Sequence, residues 1–156
     1  MKFYIEDVPV SFPYQHVYPE QLEYMTEIKR LLDVQGHGIL EMPTGTGKTV
    51  CLLSICISYI KFKKPHFKLV YCTRTIVEMQ KTLEELKFVQ NQREIDHKDD
   101  ADGMASKILA LCLSSRLNLC IHEEVSQEEE RTAVDSKCRH LTSPWNREKA
   151  RVQKEK

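Results

Sequence analysis

Thr44-Gly45-Thr46-Gly47-Lys48-Thr49 is the stretch whose residue types and spacing can do chemistry. It follows a short apolar segment, Gly38-Ile39-Leu40, and precedes an apolar run of helical length, Val50 to Ile60. Strand, glycine loop and helix in that order is the context a phosphate-binding loop requires. Gly45 and Gly47 let the backbone turn its N–H groups inward, and the following helix aims its positive end at the same spot. Lys48 is placed to reach the β- and γ-phosphates of a nucleotide as a point charge, and the Thr49 hydroxyl to ligate Mg²⁺. The strict pattern G-x-x-x-x-G-K-[ST] asks for glycine at position 42, where this chain has Met42. Here the glycine sits at Gly45, after Met42-Pro43-Thr44, giving P-T-G-x-G-K-T.

Elements on both sides must hold this loop. Val8 to Tyr14 reads as a short extended segment ending in Phe12-Pro13-Tyr14. Pro19 suits a first helical position, and Leu22, Met25, Ile28 and Leu32 follow at helical spacing. That helix should end near Gly36-His37-Gly38, where glycine relieves left-handed strain. The helix from Lys48 is apolar nearly all round and should be buried against a sheet. Lys61 to Pro65 breaks it. Phe67 to Cys72 reads as a buried parallel strand, followed by the polar Thr73-Arg74-Thr75 and a helix with Ile76, Met79, Leu83 and Leu86 on one face. Asn91 to Gly103 is polar and without periodicity, so a surface loop is expected. Asp99, Asp100 and Asp102 have no glycine at the sixth position of a calcium loop and are not read as a metal site. Ile108 to Leu113 is a further strand candidate, again with a polar end, Ser114-Ser115-Arg116. Beyond Cys120 the sequence is charged and weakly helical. Strand–helix alternation of this kind predicts an α/β fold with a parallel sheet, its ligands at the carboxyl ends of the strands.

The chain has 156 residues, 41% hydrophobic and 29% charged, which is the composition of a globular protein with one substantial core. No run of 18 apolar residues occurs, so no membrane span is expected. The first seven residues carry Glu6 and Asp7 and no apolar stretch, so no secretory signal is expected, and with it an intracellular protein without disulfides. Net charge is zero, and bulk electrostatics does not announce a nucleic-acid binder. The charge is uneven, however. Glu123 to Glu130 holds five glutamates, while Lys137 to Lys156 holds seven Lys and Arg against two Glu. An acidic loop followed by a solvated basic helix or tail accounts for that. Of six cysteines, Cys51, Cys56, Cys72 and Cys112 lie in apolar runs and read as small core residues. Cys120 and Cys138 have charged neighbours, and their spacing fits no short zinc pattern.

Phe12-Pro13-Tyr14, Tyr18-Pro19-Glu20-Gln21, the run GHGILEMPTGTGKT, YCTRT and SSRLNLCIHEEV together resemble one family over roughly residues 5 to 140. It is the xeroderma pigmentosum group D helicase family of iron–sulfur superfamily 2 DNA helicases. The resemblance implies a RecA-like P-loop NTPase sheet with flanking helices over residues 1–113. The beginning of an iron–sulfur domain would follow over 114–156. It also implies ATP and Mg²⁺ as cofactors, a nuclear subunit of transcription factor IIH, and 5′→3′ unwinding of DNA in nucleotide excision repair.

By the same resemblance Thr44 to Thr49 match helicase motif I, with Met42 and Pro43 beside it. Tyr18 and Gln21 fall where the family contacts the nucleotide; a Gln amide can pair with an adenine edge and Tyr can stack on it. As residues alone they also suit a plain helix start. Arg74 and Thr75 match motif Ia, which tracks single-stranded DNA in the family and is the reading the resemblance favours; as a residue alone Arg74 could pair with a surface carboxylate. Cys120 and Cys138 match the first two of four cysteines that hold a [4Fe–4S] cluster; without the resemblance they are two free thiols. No Asp-Glu-x-His occurs in the 156 residues. The expectation is therefore a partial sequence, a shortened product or a non-catalytic nucleotide- or partner-binding module, able to bind nucleotide but not to act as a motor.

Overall fold

A computed structural model of the chain describes residues 1–98 and 106–154. Asp99, Asp100 and Asp102 lie outside the described residues. Two compact units are present, Met1–Ala110 and Leu111–Lys156.

The first unit begins with a hairpin the sequence did not announce. Strand β1 (Lys2–Ile5) pairs antiparallel with β2 (Val8–Ser11), Ile5 opposite Val8 and Lys2 opposite Ser11. The turn is Glu6-Asp7, with Glu6 at φ 53. All four residues of β2 are buried, and Phe12, fully buried just beyond it, meets Phe3 and Tyr14 edge-on. Helix α1 runs Pro19–Val34 with Pro19 in its first turn, as expected. Its buried face is Gln21, Met25, Ile28 and Lys29; Leu22, expected in the core, is exposed. Gln35 rather than a glycine takes the left-handed position, at φ 52. The Gly36 N–H donates to Leu31 O (3.1 Å) and the Gln35 N–H to Leu32 O (3.3 Å), which offsets the strain of a side chain there.

Helix α2 (Lys48–Lys63) is the hub, buried from Val50 to Tyr59 on nearly every face and packed against β2, α1 and helix α3 (Ile76–Asp96). The start of α1 touches the start of α2 through Gln21 and Thr46, and their ends meet through Asp33 with Tyr59 and Lys63. The two helices therefore run parallel. Residues 35–47 must climb back the length of a 16-residue helix, about 24 Å, before α2 can begin. Gly38 to Met42 lie on that return path and form neither helix nor ladder.

Gly38–Leu40, Phe67–Cys72 and Ile108–Leu113 were expected as strands of a parallel sheet, and none of them forms a ladder. Among the described residues the sheet is the two-stranded antiparallel hairpin β1–β2. A strand is stabilised by a neighbour that satisfies its N–H and C=O groups and covers its side chains. These segments have no such neighbour, and Ile39, Val70, Leu109, Leu111 and Leu113 stand exposed. Helix α3 also departs from expectation, continuing through Asp96 instead of ending before Asn91. Gln90 Nε2 donates to Glu94 Oε1 (2.9 Å) and Gln92 Nε2 to Asp96 Oδ1 (2.7 Å), so polar side chains spaced i,i+4 support a helix there. On its expected apolar face Ile76 is exposed; Val89 and Arg93 are the buried positions.

The far ends of α1 and α2 are tied to the hairpin by charge. Lys29, its side chain only 5% exposed, reaches Glu6, Asp7 (3.3 Å) and Asp33 (2.6 Å). Lys63 pairs with Asp7 (2.8 Å) and Asp33 (3.2 Å), and the Tyr59 hydroxyl donates to Asp33 (2.9 Å). The Lys29 ammonium holds the Asp33 carboxyl down to a pKa of about 2.

The second unit consists of short helices, α4 (Arg116–Leu119), α5 (Glu123–Ser126), α6 (Arg131–Thr142) and α7 (Pro144–Lys154). Among the described residues Val125 and Val134 are its buried apolar ones, and α6 packs on the other three. Arg116 pairs with Asp135 (3.1 Å), and Lys137 with Glu128 at the edge of the acidic stretch. No helix among the described residues is long and apolar enough to cross a membrane.

Candidate phosphate-binding site

The return path from α1 delivers the glycine loop to the amino terminus of α2. Gly45 and Gly47 take φ +81 and +79, a conformation that costs a side-chain-bearing residue steric strain, which is the reason glycine stands at both positions. Gly47 is the residue before the helix and offers no side chain to cap it. The N–H groups of the first turn thus keep their donors for a ligand, and the helix dipole favours an anion at the same place.

Lys48 is half-buried, and its Nζ donates to Met42 O (2.8 Å) and Pro43 O (3.1 Å), folding the cation back over the loop. Thr46 Oγ1 donates to Pro43 O (2.6 Å), closing a tight turn through Thr44 and Gly45. Met42 is buried and anchors the loop's base; Pro43 and Thr44 are exposed. Thr49 lies one residue into α2 and lines the same cleft as Lys48.

That cleft has a volume of about 1040 Å³ and lies wholly within the first unit. Its floor is Gly45 to Val50. One wall carries Tyr14, His16, Tyr18 and Gln21, and the other Tyr71 to Arg74 with Glu78, Lys81 and Glu85 of α3. Tyr18 is exposed, and its backbone N–H donates to Gln21 Oε1 (3.0 Å). Gln21 is 6% exposed, with Nε2 donating to Thr46 O (2.8 Å). The two residues read from the segment before the loop are thus brought to it, Tyr18 as an open ring and Gln21 as a buried bridge.

Arg74 lines the cleft opposite Tyr18, Thr75 follows it outside the lining, and both are engaged locally. The Arg74 side chain, 92% exposed, stands 3.6 Å from Glu78, the surface carboxylate its type allows. Thr75 Oγ1 caps α3 by accepting from the Glu78 N–H (3.2 Å), and Glu78 Oε2 accepts from the N–H of Arg74 (3.1 Å) and of Thr75 (3.3 Å). The Arg74 N–H, then that of Thr75, keep the Glu78 carboxyl below its ordinary pKa. Tyr14, His16 and Lys81 were not singled out from sequence. For Lys81 the signal was there: Glu78, Lys81, Thr82 and Glu85 fall on one helical face.

Cys51 and Cys56 are buried, and burial pushes both thiols up to about 11. Cys72, expected in the core, is exposed because the segment carrying it has no neighbouring strand to cover it; Cys112 is half-buried. Cys120 follows α4 and Cys138 lies in α6, both half-buried in the second unit, with Arg116 beside Cys138. Among the described residues no three His, Cys, Asp or Glu side chains gather as metal ligands. A four-iron cluster needs four protein ligands, so Cys120 and Cys138 alone do not fit one.

Comparison with known proteins covers both units. The family model described as DEAD_2 matches residues 71–156. The chain is 54% identical over 149 residues to the Arabidopsis thaliana general transcription and DNA repair factor IIH helicase subunit XPD, covering 94% of this chain and 19% of that one. It is 50% identical to subunit XPD/RAD3 of Saccharomyces cerevisiae, over 92% of this chain and 18% of that one. The mouse regulator of telomere elongation helicase 1 is more distant, at 27% identity over 86% of this chain and 13% of its own. The chain spans about a fifth of the length of the curated factor IIH relatives it matches.

Proposed function

The chain belongs to the DEAD_2 family, and we propose that it is the nucleotide-grasping part of an ATP-dependent DNA helicase. Residues 1–113 form part of the first motor domain, and 114–156 begin an iron–sulfur domain. The observation that carries the reading is the uncapped amino terminus of α2 with two positive-φ glycines before it and Lys48 folded over it. ATP–Mg²⁺ would supply a multiply charged triphosphate. The first-turn N–H groups of α2 and Lys48 would hold that triphosphate, Thr49 would offer a hydroxyl to the metal, and Tyr18 a ring to the base. Met42, Pro43, Thr44, Gly45 and Thr46 shape the loop, and Gln21 completes the wall.

The complete helicase works as a transcription factor IIH subunit in the nucleus, unwinding DNA 5′→3′ in nucleotide excision repair and at transcription initiation. The factor IIH relatives at 50% and 54% identity support this. Arg74 and Thr75 take the single-stranded DNA backbone, and Cys120 and Cys138 contribute two of the cluster's four thiolates. The 156 residues alone bind nucleotide without unwinding, since no Asp-Glu-x-His is present to hold Mg²⁺ from its second side. Hydrogen exchange tests the central claim. Saturating ATP–Mg²⁺ should slow exchange at the amides of residues 45–50, and unchanged exchange there overturns the reading.

A further inference from the structure

We propose that Glu78 is a positioning residue for the single-strand contact, setting how loosely Arg74 and Thr75 hold a phosphate. The proposal rests on the reading of these two residues as contacts to DNA. Three donors from them converge on one carboxylate. Glu78 Oε2 accepts from the Arg74 N–H (3.1 Å) and the Thr75 N–H (3.3 Å), and Arg74 Nη2 stands 3.6 Å from Oε1. Glu78 is fixed in the first turn of α3, where its own N–H donates to Thr75 Oγ1 (3.2 Å). The Arg74 side chain is 92% exposed and that of Glu78 45%, so a strand that reaches the guanidinium meets the carboxylate too.

The two kinds of donor are affected differently. A backbone N–H has one proton to give, so the amides of Arg74 and Thr75 are spent on Glu78 instead of on a phosphate. The guanidinium has five, so pairing with Glu78 leaves it donors for a phosphate; what it loses is net charge. A phosphate that approaches Arg74 approaches a carboxylate as well, and the repulsion cancels part of the attraction. The grip that remains, the Arg74 fork and the Thr75 hydroxyl proton, ignores sequence and releases easily. A protein that moves along a strand must let go of each phosphate it takes, and a carboxylate beside the arginine serves that need. Glutamine at this position would keep an acceptor for the two amides without the charge, so one substitution separates the two parts.

Fluorescence anisotropy of a labelled oligothymidylate at low salt should be measured with wild type, Glu78→Gln, Arg74→Ala and the double variant. Glu78→Gln should bind about two- to fivefold more tightly, the range of an exposed charge pair. Arg74→Ala should bind more weakly than wild type, and adding Glu78→Gln to it should bring a smaller gain. Hydrogen exchange at the Arg74 and Thr75 amides should match wild type in Glu78→Gln and speed up in Glu78→Ala, which removes the acceptor. Equal or weaker binding by Glu78→Gln overturns the positioning role. So does an undiminished gain in the Arg74→Ala background, and so does exchange unchanged in Glu78→Ala. A wild type that does not bind the strand, or an Arg74→Ala that binds as well as wild type, overturns the DNA reading itself, and this proposal with it.

Discussion

Replacing Lys48 by alanine tests the site most directly. In the ligand-free protein its ammonium is already bonded to Met42 O and Pro43 O, at 2.8 and 3.1 Å. On binding it must leave these carbonyls for phosphate oxygens. A charge-assisted contact contributes about 1.5–3 kcal/mol, and releasing the carbonyls offsets part of that gain. The lower end, about 1.5 kcal/mol, is the net expectation, and it corresponds to about a tenfold loss of affinity in Lys48→Ala. The same substitution frees two loop carbonyls and should lower the stability of the ligand-free protein by about 1 kcal/mol. Calorimetry with ATP–Mg²⁺ measures the first quantity and urea unfolding the second. Equal affinities in wild type and variant would refute the phosphate-loop assignment, whatever happened to stability.

Four further outcomes follow from burial and charge. Asp33 has its carboxyl held down to about 2 by Lys29, against an ordinary 3.8, so its stabilisation is full above about pH 4 and is lost as the pH falls towards 2. Unfolding midpoints between pH 5 and 2 should show this loss, and Asp33→Asn should flatten it. An alkylating reagent at pH 8 should modify the exposed Cys72 first, Cys112, Cys120 and Cys138 more slowly, and Cys51 and Cys56 last, because burial keeps these two as thiols; peptide mass spectrometry gives the order. Ile55→Ala, in the fully buried middle of α2, should cost about 2–5 kcal/mol. Ile39→Ala, on a fully exposed side chain, should stay within about 0.5 kcal/mol by chemical denaturation.

The glycine loop and the two helices beside it were legible because their signals are local. Glycine placement, a first-turn proline and a continuous apolar run each act within a few residues. What failed to appear was non-local. Phe67 to Cys72 and Ile108 to Leu113 have strand composition, but a strand exists only by virtue of a partner, and composition does not say whether one is present. The hairpin was missed for the opposite reason. Its partner lies two residues away, but the connecting Glu6-Asp7 lacks a glycine or asparagine turn signal. The roles of Gln21 and Lys29 are likewise relational. Nothing in the type of a glutamine at a helix start says that its amide will meet a carbonyl 25 residues on.

The parallel course of α1 and α2 has a consequence for which changes of length the chain can tolerate. The two helices are fastened at one end by Gln21 on the loop and at the other by Lys29 and Lys63 among the carboxylates. The stretch from Gln35 to Gly47 is a tie-rod between these fastenings, and its reach is set by residue count. Its 13 residues reach about 43 Å fully extended against the roughly 24 Å they must climb, so removing one, about 3.3 Å of contour, first takes up slack. Several residues would have to go before the loop parted from Gln21 or α2 slid against α1. No comparable span constrains the exposed turn after α2, at Pro65 and His66, where an added residue should leave both fastenings in place. Between α1 and α2, then, only a deletion long enough to use up that slack acts on the glycine loop from a distance.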